Sequence, residues 1–121
     1  RAGLPYIATH PDFNCPTETG FAPDIGAIMA FIEASTGRKP DLIVGKPYGG
    51  IVEAALERTG RQAGELAMVG DRLYTDVETG LRHGILAVLV MSGETTPEML
   101  EQSQTVPDAV YGRLADMIQE L

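Results

Sequence analysis

Tryptophan is absent from this chain of 121 residues, cysteine occurs once, and only 6% of residues are aromatic. The single Cys15 cannot form an intrachain disulfide, which points to a reducing, cytoplasmic setting. No apolar run approaches the roughly 20 residues that a membrane-spanning helix needs. The opening stretch, RAGLPYIATH, lacks a basic segment followed by an apolar one, so no secretory signal is read there. An initiator Met is absent too, and Arg1 leads almost at once into apolar residues; the chain reads as beginning inside something longer. Basic residues are scarce: 9 Lys and Arg stand against 17 Asp and Glu, for a net charge of −8. Such a domain repels phosphate backbones, which disfavours nucleic acid as a partner. A small phosphorylated substrate stays open, because one bound metal ion reverses the field inside a pocket. Neither an internal repeat nor a low-complexity segment is found.

Against these absences stand a hydrophobic content of 44% and a mean hydropathy near zero, the balance of a soluble globular chain. The length suffices for one compact domain or two small lobes. Leu4 to Thr9 reads as a short strand broken by His10-Pro11-Asp12. Residues 13–23 are rich in turn formers and read as a loop. Asp24 is a plausible N-cap for a helix with Ile25, Ile28, Met29 and Ile32 on one face and Gly37 as its stop. Leu42-Ile43-Val44 is a brief apolar run ending in Gly45-Lys46-Pro47. A helix from about Gly50 to Thr59 carries Ile51, Ala55 and Leu56, with Gly60 at its end. Leu66 to Val69 is the next strand. Thr75 and Glu78 have capping-box spacing and open a helix with Val77 and Leu81 inward, stopped by Gly84. Ile85 to Met91 is the most hydrophobic strand. Thr96-Pro97 starts a further helix. Ala109 to Tyr111 reads as an edge strand, and Leu114, Met117, Ile118 and Leu121 as an amphipathic closing helix.

Strands and helices that alternate, with near-continuous apolar strands, imply an α/β fold whose parallel sheet is covered on both faces. Ligands then sit beyond the carboxyl ends of the strands. Gly45-Lys46, Gly70-Asp71 and Met91-Ser92-Gly93 each follow a strand, so all three are expected on one sheet edge.

Asp71 ends an apolar strand directly after a glycine. A carboxylate so placed is a rigid hard-oxygen donor that a ligand can approach closely, as magnesium requires. The ordinary alternative is an acid that starts a turn. Asp76 falls in the first turn of the next helix, where the helix dipole alone favours an acid. Lys46 ends another strand, and there a cation can offset carboxylate repulsion and hold a substrate oxygen; an exposed surface lysine is its ordinary alternative.

Taken together, the succession strand-GKP, helix, strand-GDxxxxD, helix, strand resembles the C-terminal half of the haloacid dehalogenase (HAD) superfamily of phosphatases, in its NagD-like, para-nitrophenyl-phosphatase-like branch. YIATHPD (Tyr6 to Asp12) is similar to the branch's I-A-T-N-P-D segment, with His10 where Asn is usual. GRKPDLIVGKP (Gly37 to Pro47), VGDRLYTDVETGLRHG (Val69 to Gly84) and VLVMSGETT (Val88 to Thr96) are similar to the segments that follow. The resemblance implies a three-layer Rossmann-like HAD core. Lys46 would be its motif-three lysine, Asp71 its Mg²⁺ ligand, and Asp76 the acid that supports the metal's water shell or the lysine. It implies that residues 1–38 are the C-terminal end of an inserted cap domain, with His10 and Asp12 near its substrate-facing edge. Residues 39–121 would then be the C-terminal half of the hydrolase core.

The reaction of that family needs a nucleophilic Asp two positions before a second, acid/base Asp. The aspartates here are 12, 24, 41, 71, 76, 108 and 116, and no two have that spacing. The nucleophile is therefore expected upstream, and the chain alone is expected to be inactive. In the family's strand order 5-4-1-2-3, strands 1 and 2 would be missing, which leaves unpaired edges. Such edges favour re-pairing, homo-oligomer formation or association with another chain, or leave the isolated chain poorly stable. The leading expectation is part of a Mg²⁺-dependent hydrolase of small phosphate monoesters, with sugar phosphates, nucleotides, glycerol phosphate and phosphoglycolate all open as substrates. The alternative is a non-catalytic α/β association or binding domain that retains the motifs. A receiver or nucleotide-binding domain is disfavoured, since neither G-x-G-x-x-G nor G-x-x-x-x-G-K-[ST] occurs.

Overall fold

A computed structural model describes residues 3–118. Arg1 and Leu121 lie outside the described residues. The chain divides into two compact units, Arg1–Ile51 and Val52–Leu121.

The first unit contains β1 (Ile7–Ala8), β2 (Asn14–Thr17), β3 (Gly20–Pro23), α1 (Ile25–Thr36) and β4 (Leu42–Ile43). β1 and β4 pair in parallel, Ile7 opposite Leu42. That pairing is held in register by Asp41, whose N–H donates to Tyr6 O and whose carboxylate accepts from Tyr6 N–H at 2.7 Å and from the Arg38 guanidinium at 2.9 Å. The loop expected over residues 13–23 is instead an antiparallel hairpin, β2 with β3, Thr17 opposite Gly20. Its residues are almost all exposed, so neither face carries the apolar alternation by which a strand is recognised. α1 starts and stops where its caps dictate: the Asp24 carboxylate accepts from Ile25 N–H, and Gly37 adopts the left-handed conformation that ends the helix. Its expected apolar face is only partly buried. Ile28 is exposed, and the one buried residue is Gly26, where a Cβ would run into the backbone oxygens of Pro11 and Asp12.

The division falls within α2 (Gly50–Thr59), where Val52 is buried and Ile51 is exposed. The second unit then runs through a short 3-10 turn to β5 (Ala67–Gly70), a π-helical turn over Leu73–Val77, α3 (Glu78–His83), β6 (Leu86–Val90), α4 (Pro97–Gln102), β7 (Ala109–Tyr111) and α5 (Leu114–Met117). β5, β6 and β7 form a parallel sheet in that order. The α/β fold with a parallel sheet is thus present. β4, however, pairs with β1 and not with β5 or β6. Only Gly70-Asp71 and Met91-Ser92-Gly93 therefore follow strands of the same sheet; Gly45-Lys46 follows a strand of another. A two-residue strand carries too little pattern to specify its neighbour.

The core of the second unit packs Leu73, Val77, Ala87 and Leu89, with Met91 and Leu100 against them. Leu81, expected inward, is exposed. No capping box forms at Thr75 and Glu78. The turn opens earlier, because Asp76 N–H and Val77 N–H both donate to Arg72 O. The Glu78 carboxylate is taken by Arg82 Nε and Thr105 Oγ1. Thr75 Oγ1 is buried without a hydrogen-bond partner, while Thr75 O accepts from Thr79 Oγ1 at 2.6 Å.

Candidate active site

Asp71 and Asp76, in the second unit, sit at the carboxyl end of the β5–β6 pair, and each lies against a glycine. Asp71 directly follows β5. A Cβ on Gly93, in the loop after β6, would come closer than 3.0 Å to Asp71 Oδ2, Cγ and Cβ. Asp76 lies within the π-helical turn and is 4% exposed. A Cβ on Gly70 would overlap its carboxylate in the same way. The glycine before Asp71 thus makes room for the second carboxylate rather than for an approaching ligand. Neither Gly70 nor Gly93 has a positive φ, so space and not backbone conformation is what each provides.

Hydrogen bonds fix both acids. Asp76 Oδ2 accepts from Arg72 N–H at 3.1 Å. Asp71 Oδ2 accepts from Glu94 N–H at 2.8 Å, while Asp71 O accepts from Thr95 Oγ1 at 2.6 Å and from Thr95 N–H at 3.2 Å. The loop after β6 is therefore tied to Asp71 at three points. The Glu94 carboxylate in turn receives Arg72 Nε at 2.6 Å and Tyr74 Oη at 2.8 Å. Burial alone would lower the pKa of Arg72, but Glu94, with Tyr74 and Asp71 beside it, outweighs burial and raises it above its ordinary value. Gly93 is expected at this strand end and Val88 to Thr96 matches the family pattern, but neither gives Glu94 or Thr95 a role. What could have drawn attention to them is position, since they follow the strand that neighbours the one ending in Asp71.

The remaining candidates lie in the first unit. Gly45 abuts β1's end, where a Cβ would overlap Thr9 O and crowd His10; exposed Lys46 follows. His10 is engaged on both ring nitrogens: Nδ1 is 3.0 Å from Thr9 Oγ1, and Nε2 is 3.0 Å from Asp24 Oδ1. The residue that departs from the family pattern thus joins β1 to the N-cap of α1. Asp12 is half-buried, and its carbonyl accepts from Gly26 N–H. The structure brings Asp71 and Asp76 to one sheet end. It places Lys46, His10 and Asp12 in the other unit. Among the described residues, no group of three or more His, Cys, Asp or Glu side chains is arranged to hold a metal ion, and no helix is long and apolar enough to cross a membrane.

Comparison with known proteins gives consistent results. Residues 43–117 match the model of the HAD-hydrolase-like family. An acid sugar phosphatase of Staphylococcus epidermidis is 37% identical over all 121 residues, which make up 46% of that protein. Among solved structures, the 4-nitrophenylphosphatase of Thermotoga maritima superimposes with a TM-score of 0.91 at 56% identity, over 97% of this chain and 45% of that one. The p-nitrophenyl phosphatase of Archaeoglobus fulgidus does so with a TM-score of 0.91 at 41% identity, over 98% of this chain and 47% of that one. The chain spans just under half the length of these relatives.

Proposed function

The chain belongs to the HAD-hydrolase-like family, in its NagD-like, para-nitrophenyl-phosphatase-like branch, and from that premise we propose that it is the metal-binding half of a Mg²⁺-dependent phosphatase acting on small phosphate monoesters, sugar phosphates among them. The observation that carries this reading is the pair of carboxylates at the end of β5, each seated on a glycine and held by a backbone N–H. Magnesium takes one or two carboxylates and completes its shell with water and phosphate oxygens, which is the chemistry a pair of strand-end carboxylates suits. When bound, the ion offsets negative charge on the transferring phosphoryl group.

In this reading Asp71 is the direct ligand. Asp76, buried and anchored on Arg72 N–H, braces the site from behind. Lys46 holds a phosphoryl oxygen through its ammonium group; its assignment is supported by the order of motifs along the chain. His10 and Asp12 stand at the substrate-facing edge of the cap. His10 acts there through its hold on Asp24 rather than as a free imidazole. The covalent step uses an aspartate supplied by polypeptide N-terminal to these residues. Its carboxylate attacks phosphorus, the alcohol leaves with a proton from the second aspartate of the same motif, and water then cleaves the aspartyl-phosphate. We propose further that residues 1–38 derive from the end of a cap domain and residues 39–121 from the C-terminal half of the core. Residues 39–51 fold with the first unit.

The test is turnover of para-nitrophenyl phosphate with magnesium by this chain and by a polypeptide extended at its N-terminus. The proposal expects none from the first and measurable turnover from the second. Activity in the chain alone would overturn the assignment of the nucleophile. An inactive extended protein across a panel of phosphate esters would instead favour a non-catalytic binding domain.

A further inference from the structure

Asp71 is followed directly by an arginine, and a guanidinium beside a metal-binding carboxylate is a competitor for it. An Arg–carboxylate pair forms two strong charge-assisted hydrogen bonds and would occupy the oxygens a cation needs. In this structure Arg72 is engaged by Glu94. Its Nε lies 2.6 Å from Glu94 Oε2, and the other oxygen of that carboxylate accepts from Tyr74 Oη at 2.8 Å. The backbone N–H of Glu94 donates to Asp71 Oδ2. Glu94 therefore does two things at once: its main chain orients the carboxylate, and its side chain holds the neighbouring cation. Tyr74 is 53% exposed, and Arg72 and Glu94 are each about one-third exposed. The cluster thus lies at the surface of the site, where a released arginine side chain has room to turn.

We propose that Glu94 is a positioning residue for Asp71, restraining Arg72 and aiming the carboxylate so that Asp71 is available to a divalent cation. The proposal rests on the reading of Asp71 as a metal ligand, and the experiment separates the two. Mn²⁺ alone is titrated into the 121-residue chain, and binding is followed by electron paramagnetic resonance and water-proton relaxation. Asp71→Asn is the reference for loss of the site, and far-UV circular dichroism checks that each variant folds. Glu94→Ala is expected to weaken Mn²⁺ binding about fivefold, the size of a partly screened charge interaction. The double variant Arg72→Gln/Glu94→Ala is expected to regain most of that loss, because the competing cation is gone. A merely structural role for Glu94 would give no such rescue. If Glu94→Ala fails to fold, Glu94→Gln with and without Arg72→Gln gives the same comparison. Equal binding by the wild type and the Glu94 variant, or a double variant as weak as the single, overturns the proposal and leaves the metal reading of Asp71 standing. A wild-type chain that binds no better than Asp71→Asn overturns both.

Discussion

Alanine at Gly93 and at Gly70 makes the same chemical change on the two sides of the candidate site, yet the structure predicts different consequences. At Gly93 the three nearest neighbours of the added methyl belong to the Asp71 side chain; at Gly70 the three nearest belong to the Asp76 side chain. Asp71 is only half-buried, so it can rotate toward solvent. It then loses the Glu94 N–H bond but recovers hydration. The cost should sit at the low end of overpacking, about 1 kcal/mol. Asp76 is 4% exposed and has no such exit. Moving it breaks the bond from Arg72 N–H and leaves a buried carboxylate poorly satisfied, which adds to the steric term; about 3 kcal/mol is expected in all. Urea unfolding of the two variants tests this, with the slope unchanged and the midpoint of Gly70→Ala lowered by about 1–2 M. Binding should show the opposite ranking, because Gly93→Ala displaces the direct ligand. A Gly93→Ala variant less stable than Gly70→Ala, or a Gly70→Ala variant as stable as wild type, would refute the account of how the carboxylates are seated.

Other perturbations probe separate parts of the structure. Thr75→Val removes a buried hydroxyl that has no partner and leaves the Thr79 bond to the Thr75 carbonyl in place; it should raise stability by about 1 kcal/mol, and a loss of that size in the same urea assay would contradict it. The Ile25 N–H, and secondarily His10, hold Asp24 below its ordinary carboxyl pKa of 3.8, while Tyr6 N–H and then Arg38 do the same for Asp41. Both groups are more acidic folded than unfolded. Their stabilisation is therefore complete above the ordinary carboxylate range and is lost as pH falls through their lowered values. Asp24→Asn should flatten the acid limb of a stability-versus-pH curve, and an unchanged limb would count against the hold of Ile25 N–H and His10 on the Asp24 carboxylate.

The parts of this fold legible in the sequence were those set by neighbours along the chain. Asp24 and Gly37 bound α1, Thr96-Pro97 opens α4, and Ala109 to Tyr111 is the edge strand expected. The misreadings share a physical origin in contacts remote in sequence or absent from any periodic pattern. The hairpin at 14–23 has no buried face to betray it. Thr75 and Glu78 have the spacing of a cap, but two N–H groups converging on Arg72 O set a wider turn first. Leu42-Ile43 was readable as a strand, whereas its partner was not. At the candidate site, Asp71 and Asp76 stood out as acids at a strand end. Gly93 was placed at the strand end without its contact, and Glu94 was given no role, because both matter through meeting Asp71 across two adjacent strands.

The central claim is that Asp71 holds a catalytic magnesium ion, and a magnesium titration of para-nitrophenyl phosphate turnover tests it most directly. The N-terminally extended protein should show turnover that rises from near zero to saturation with added Mg²⁺, and Asp71→Ala should remove that response at every concentration while the protein remains folded. Turnover that is independent of magnesium, or an Asp71→Ala protein that keeps the wild-type response, would contradict it.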